Sequence, residues 1–276
     1  MKVAYCLIRD LPHYRRHAFD AGLSAAGFSL LHSTPVAGRD HRGNVLVIWN
    51  RYGGYHDIAT QFERGGGLVI VAENGFVGKD ENGLQYYSLA LDGQNGSGRW
   101  VTGEEPRFPL LGFEIKPWRE PTPTGHIIIR GQRGIGRSGV ASPPDWHNAV
   151  ARGLRTHRKV LVVEHPGVGA VTDKKHEQYL QGAHALIIWS SAVGVKALIA
   201  GIPVICHSPY WVCKHGAASA SELEAEASLT SAQADLRKRE ALERMAWAQW
   251  SLAEIESGRP FALLYDYHHK KEEAVA

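Results

Sequence analysis

The segment 159–208 constrains the fold more than any other part of the chain. Three apolar runs, at 160–163, 185–189 and 202–206, alternate with two stretches of helical character. Short runs without polar alternation are those of strands buried on both faces. Their spacing fits a βαβαβ unit with a parallel sheet. In open sheets of this kind ligands bind beyond the carboxyl ends of the strands. Two such ends carry polar groups here: Glu164-His165-Pro166 after the first run and Ser190-Ser191 after the second.

The preceding half of the chain repeats the pattern. Strands are expected at 3–8, 29–31, 44–49 and 68–72, with helices at 13–26 and 55–62, the latter closed by Gly65-Gly66-Gly67. Their ends carry Arg9-Asp10, Asn50-Arg51-Tyr52 and Glu73-Asn74-Gly75. The stretch 75–125 differs, with frequent glycine and the aromatics Tyr86, Tyr87, Trp100 and Phe108. It reads either as a functional elaboration or as an irregular one packed by its own rings. The segment 118–125, WREPTPTG, has the composition of an interdomain linker. A further strand at 126–130 runs into Gly131-Gln132-Arg133-Gly134-Ile135-Gly136, a loop able to bring backbone N–H groups close to a phosphate or a base. Its GxxGxG spacing is not the dinucleotide fingerprint. Helices are expected at 146–156, 192–200, 221–227 and 232–256. In the last, Leu236, Leu242, Met245, Ala246 and Leu252 mark a buried face and Trp247 and Trp250 would cover a domain seam.

At 276 residues, 44% hydrophobic and 21% charged, the chain has the bulk of one large or two modest globular domains. A net charge of +3 permits an anionic partner without requiring one. Cys6, Cys206 and Cys213 form no CxxC or CxxH pattern, which points to core thiols in a reducing, cytoplasmic setting. No apolar stretch approaches the ~20 residues of a membrane span, and the N-terminal run is too short for a signal peptide.

Ser190 and Ser191 stand where a parallel strand gives way to a helix. Their hydroxyls serve either as simple caps or as holders of a phosphate at the helix N-terminus. His165, on the neighbouring loop, is either structural or a donor to a phosphate oxygen that offsets charge on a departing nucleotide.

The run from Ser190 to Val204, SSAVGVKALIAGIPV, resembles the S-[ST]-x-x-G-x-[EK]-A-L-x-x-G-x-P-V segment of GT-B glycosyltransferases. The resemblance is to the capsular-polysaccharide, Kdo-transferase-like group and, more distantly, to bacterial sialyltransferases. Those families pair the serine motif with an upstream His-Pro, matched by His165-Pro166, and Pro209-Tyr210-Trp211 is similar to the segment that follows. The chain also resembles small phage-encoded glycosyltransferases, some associated with modified DNA bases, through Glu73-Asn74-Gly75, residues 132–136 and residues 247–258.

The resemblance implies an α/β fold of two Rossmann-like domains (GT-B-like) facing a cleft, with a C-terminal helical segment. The expected division is an acceptor-side domain at 1–118, a nucleotide-sugar domain with closing helices at 126–256 and a frayed tail at 257–276. It implies a UDP- or CMP-sugar as co-substrate, no further cofactor, and contact with its phosphates by His165, Pro166, Ser190 and Ser191. Gln132, Arg133 and Gly134 line the nucleotide pocket in this reading. The catalytic base is an acid of the first domain, Glu73 first and Asp80 second. Lys196 departs from the glutamate usual in the capsular group. The absence of Asp-x-Asp implies no obligatory metal at the phosphates. The phage-like resemblance, with the basic clusters at 15–17, 39–42 and 214–215, implies a hydroxymethylated pyrimidine in double-stranded DNA as acceptor, flipped out and stacked on the aromatics of 75–118. A capsular or surface saccharide is the alternative acceptor, and a non-catalytic nucleotide- or glycan-binding module is the alternative class.

Overall fold

The computed structural model describes residues 2–120, 122–165, 178–225 and 227–273. In chain order the first half gives β1 (Val3–Cys6), α1 (Arg16–Ala25), β2 (Ser29–Leu31), β3 (Val45–Trp49), α2 (Gly54–Arg64), β4 (Leu68–Lys79) and β5 (Gln85–Leu91). The second gives β6 (His126–Arg130), α3 (Trp146–Gly153), β7 (Val160–Val163), β8 (Ala183–Ile188), α4 (Val193–Ile199), β9 (Val204–Cys206), α5 (Ala220–Ala225), α6 (Ala232–Ala246), β10 (Gln249–Trp250), α7 (Leu252–Glu256) and α8 (Arg259–Glu273). The chain is α/β, with two Rossmann-like units, one of residues 1–105 and 247–276 and the other of residues 106–246.

In the first unit the sheet order is β10-β5-β4-β3-β1-β2. Strands β2, β1, β3 and β4 are parallel, and β5 and β10 add an antiparallel edge. Successive side chains of a strand face opposite ways. Val45, Val47, Leu68 and Ile70 therefore join one core with α1 and the C-terminal helices, while Leu46, Ile48, Val69 and Val71 join another with Ala59 and Phe62 of α2. Burial on both faces is why these strands read as unbroken apolar runs.

The chain's C-terminal part is not a frayed tail. Gln249 and Trp250 pair with Ser88 and Tyr87 of β5, and Ser251 and Glu254 then form a reciprocal capping box that starts α7. Phe261, Leu264 and Tyr265, at i, i+3 and i+4 of α8, are buried in the first unit's core. Gly22 of α1 lets these helices approach, since a Cβ there would lie 1.8 Å from the Ile255 carbonyl oxygen and 2.8 Å from the Phe261 ring. Trp247 and Trp250, expected at a domain seam, belong to the same core, their ring centroids 6.2 Å apart and edge to face.

Two further expectations are corrected. The helix drawn over 232–256 breaks after Ala246, and Leu236 is 54% exposed; Leu242, Met245, Ala246 and Leu252 are buried as expected, and Ala234, Lys238 and Ala241 join the buried face of α6. The first part of the stretch 75–125 is strand, since β4 continues to Lys79 against β5, while the rest is mostly irregular; Tyr86, Tyr87 and Phe108 are buried. The β4–β5 pairing shifts register between Asn74 and Lys79. The fully buried Gln249 carboxamide bridges this irregularity, accepting from the Phe76 and Val77 N–H groups at 2.9 and 3.3 Å and donating to the Val77 carbonyl at 2.9 Å.

The second unit is a four-stranded parallel sheet in the order β7-β6-β8-β9. The segment read as a linker is docked onto this unit. Lys116 and Arg119 donate backbone N–H groups to Ile199 and Gly201, and the buried Lys238 ammonium donates to the Lys116 carbonyl at 2.9 Å. Gly201 permits the close approach: its φ is +74° and a Cβ would stand 1.9 Å from the Pro117 oxygen. In both units the first strand has the second on one side and the third on the other. This places a topological switch point between β1 and β3 and another between β6 and β8, where crevices open beyond the carboxyl ends.

Candidate functional site

The β6–β8 switch point is closed by one amide. Gln132, two residues past β6, accepts the Ser190 N–H through Oε1 at 2.5 Å and reaches the Ser190 hydroxyl with Nε2 at 3.5 Å. The loops after these neighbouring strands are thereby held together. Ser191 Oγ accepts from the Val193 N–H at 3.4 Å, a local contact just ahead of α4, whose N-cap is Ala192.

The loop after β7 folds over the same end. Gly131 donates its N–H to Val163, and a Cβ on it would lie 3.1 Å from a Glu164 carboxylate oxygen and 3.3 Å from the His165 nitrogen. The buried Arg130 guanidinium donates to the carbonyls of Val163 and Glu164, fixing the approach to the half-buried His165. Pro166 lies outside the described residues. Glu164 accepts from His147 Nε2 at 2.7 Å, so α3 also reaches this edge. Nothing in the sequence pairs these two residues, seventeen positions apart and on different elements.

Arg133 is exposed and makes no hydrogen bond or ion pair among the described residues; Gly134 beside it has φ +66°. The loop carrying them is tied down by the Trp189 indole N–H, which donates to Val140 at 2.8 Å. The glycine of the serine segment serves packing. A Cβ on Gly194 would stand 2.6 Å from both Ile188 and the buried Trp211 ring, so the glycine and the tryptophan of the Pro-Tyr-Trp loop fit one another. Three adjacent strand ends therefore present an amide, a hydroxyl, an imidazole and a guanidinium. Neutral donors and a permanently charged guanidinium at a switch point suit a phosphate.

In the first unit Glu73 sits where the parallel part of β4 ends, one residue past the Ala72–Trp49 pair and opposite Ser88. It accepts the Asn95 N–H at 2.5 Å. Burial pushes its carboxyl up to about 7, against the opposing effect of that hydrogen bond. The Asn95 loop is anchored by Arg51, whose backbone N–H donates to Gln94 Oε1 at 2.6 Å and whose guanidinium donates to the Asp92 carbonyl and both Glu63 oxygens. Asn50, Asp92 and Asn95 all have positive φ, a concentration of uncommon backbone at one place. The sequence places Glu73 and Arg51 at strand ends but does not show that Asn95 bonds Glu73 or that Arg51 anchors the Asn95 loop, contacts made only through the fold. Asp80 is differently employed: its Oδ1 accepts the Asn82 and Leu84 N–H groups at 3.0 and 2.8 Å and shapes the β4–β5 turn.

All three cysteines are free and buried, their thiols pushed up by burial. Among the described residues no three His, Cys, Asp or Glu side chains form a group that could hold a metal ion, and no helix is long and apolar enough to cross a membrane.

No family model and no curated protein matches the sequence. Among solved structures the chain is similar to KpsC of Thermosulfurimonas dismutans. The match to its β-Kdo 2,7 transferase has 14% identity and a TM-score of 0.49, covering 88% of this chain and 90% of the other. The match to its β-Kdo 2,4 transferase has 14% identity and a TM-score of 0.48, covering 75% and 79%.

Proposed function

We propose that the protein is a glycosyltransferase that moves a sugar from a UDP- or CMP-linked donor to a hydroxyl of a surface saccharide. The observation that carries this reading is the Gln132–Ser190 bridge across the β6–β8 switch point, formed by residues of the two loops that the glycosyltransferase resemblance assigns to the nucleotide. In this reading the Ser190 hydroxyl and Arg133 hold the donor phosphate. The bond from the anomeric carbon to the phosphate oxygen breaks, its electron pair going to that oxygen, and His165 stabilises the charge by donating a hydrogen bond. The acceptor oxygen bonds to the anomeric carbon and loses its proton to the carboxylate of Glu73, the acceptor-side base of the first unit.

A saccharide suits the structure better than a flipped base. Tyr86, Tyr87 and Phe108, on which a base would stack, are core residues. The basic clusters are in good part internally paired: Arg16 with Asp10 at 2.6 Å, Arg42 with Asp40 at 2.7 Å and His215 with Glu240 at 2.8 Å. The test is nucleotide release from a panel of UDP- and CMP-sugars, with acidic oligosaccharides or hydroxymethylated DNA as acceptors. Release stimulated by a saccharide, and lowered roughly 10²- to 10⁴-fold in Glu73→Gln, is the expected result. Release stimulated only by DNA would reverse the acceptor assignment. Binding without release from any donor would make the protein a binding module.

A further inference from the structure

A second concave site lies in the first unit, at the opposite end of the parallel strands from Glu73. A groove of about 630 Å³ is lined by Arg39, Asp40, Arg42, Gln61, Arg64 and Gly66. Its walls are the loop before β3 and the turn from α2 to β4, so it sits at the amino ends of these strands. Glu73 is one residue past the carboxyl end of the parallel-paired part of β4, five residues from Leu68 or roughly 17 Å further along. The volume is in the range of small-molecule sites, about 300–1,000 Å³.

The walls are fixed. His41 is buried, stacks on Phe62 with centroids 4.4 Å apart, donates its backbone N–H to Gly65 at 2.7 Å and bonds through Nε2 to the Val36 carbonyl at 3.0 Å. Gly65 allows this contact, since a Cβ would stand 2.4 Å from the Arg39 oxygen. Arg42 lies against Gly66 and is forked onto Asp40 by hydrogen bonds of 2.7 to 3.1 Å. The one acid of the groove is therefore neutralised by its own neighbour. Arg39 and Arg64 are exposed and make no hydrogen bond or ion pair among the described residues. Two unmatched guanidiniums thus line one preformed concavity, and a cleft lined by one sign of charge concentrates counter-ions.

We propose that this groove binds a phosphate-bearing ligand of small-molecule size, with Arg39 and Arg64 as the two forks that clamp the phosphate. Each guanidinium presents paired N–H donors that match adjacent oxygens. A phosphate monoester or diphosphate has the charge for two such forks and at least three oxygens to share between them, whereas a single carboxylate has two oxygens and one charge.

The experiment is calorimetric titration of the full chain with inorganic pyrophosphate at low salt. It compares the wild type with Arg39→Ser/Arg64→Ser, with the equal charge change Arg155→Ser/Lys159→Ser, and with Ser190→Ala/Ser191→Ala. The expected result is wild-type binding that weakens at least about tenfold in the arginine pair alone, the loss expected for removing charge-assisted hydrogen bonds worth ~1.5–3 kcal/mol. Equal loss in the charge control would show a bulk-surface effect and overturn the proposal. Loss confined to the serine pair would assign the pyrophosphate to the other unit and overturn it too, while leaving the glycosyltransferase reading intact. A parallel sedimentation with vesicles containing phosphatidylglycerol separates the sources of phosphate. Retention on vesicles without pyrophosphate binding would replace a small ligand by a membrane surface, against the proposal. No binding to either probe would also overturn it.

Discussion

The burial of Glu73 predicts opposite effects of pH on stability and on turnover. Its carboxyl moves from an ordinary 4.5 to about 7 because burial disfavours the charged form. The folded chain then holds a proton that the unfolded chain has released, so stability is full below about 4.5, falls between 4.5 and 7 and levels off above. At about 1.36 kcal/mol per pH unit the full interval amounts to roughly 3 kcal/mol. The carboxyl is half-buried and keeps some solvent contact, which reduces the expected loss to between about 1 and 3 kcal/mol. Glu73→Gln keeps an acceptor for the Asn95 N–H and cannot ionise, so its stability lacks this component. Urea unfolding of both proteins at pH 5, 6, 7 and 8 reads the difference directly. The wild type is predicted to lose stability relative to Glu73→Gln across this range. A base must be ionised, so turnover should rise over the same interval with an apparent midpoint near 7. A stability difference constant to within about 0.5 kcal/mol, less than the smallest loss predicted, would refute the claim that Glu73 titrates in a buried setting.

Removing the switch-point clamp with Gln132→Ala should weaken nucleotide binding by about tenfold, or ~1.4 kcal/mol, without moving the unfolding midpoint; titration calorimetry and thermal unfolding separate the two. Gln249→Leu leaves the Phe76 and Val77 N–H groups and the Val77 carbonyl without their carboxamide partner. At roughly 1–3 kcal/mol per buried group, relieved in part by relaxation, it should destabilise by about 3 kcal/mol in a denaturant titration. Gly201→Ala combines a positive φ with a 1.9 Å approach to the Pro117 oxygen and should cost about 2 kcal/mol or more, read as a lowered unfolding midpoint.

The central parallel strands were legible because burial on both faces removes the polar alternation that would otherwise blur them, as in Val45–Trp49, His126–Arg130 and Ala183–Ile188; the edge strands Ser29–Leu31 and Val160–Val163 are more exposed and were legible from their apolar composition. The extension of β4 was hidden by Gly75 and Gly78. Gly75 serves a cross-strand contact, since its Cβ would meet Tyr86 at 2.7 Å. The end of α6 was hidden by helical periodicity that continues through Trp250, although Ser251-Leu252-Ala253-Glu254 spells a capping box. At the candidate site the pattern of loops was readable, but the contact between Gln132 and Ser190, fifty-eight residues apart, depends on β6 and β8 being neighbours. Periodicity alone does not give strand order. The environment of Glu73 was likewise out of reach, since Arg51 and Asn95 meet near it only through long-range hydrogen bonds.

The central claim is that a nucleotide binds where the β6, β7 and β8 loops meet. Thermal unfolding with UDP, CMP, GDP, ADP and the corresponding nucleotide sugars, run beside His165→Ala and Ser190→Ala, tests it most directly. A ligand at a hundred times its dissociation constant stabilises by about 2.7 kcal/mol, a rise of several degrees for a chain of this size. The account predicts such a rise with one pyrimidine nucleotide and its sugar, diminished in both variants. No rise with any nucleotide, or a rise unchanged in both variants, would contradict it.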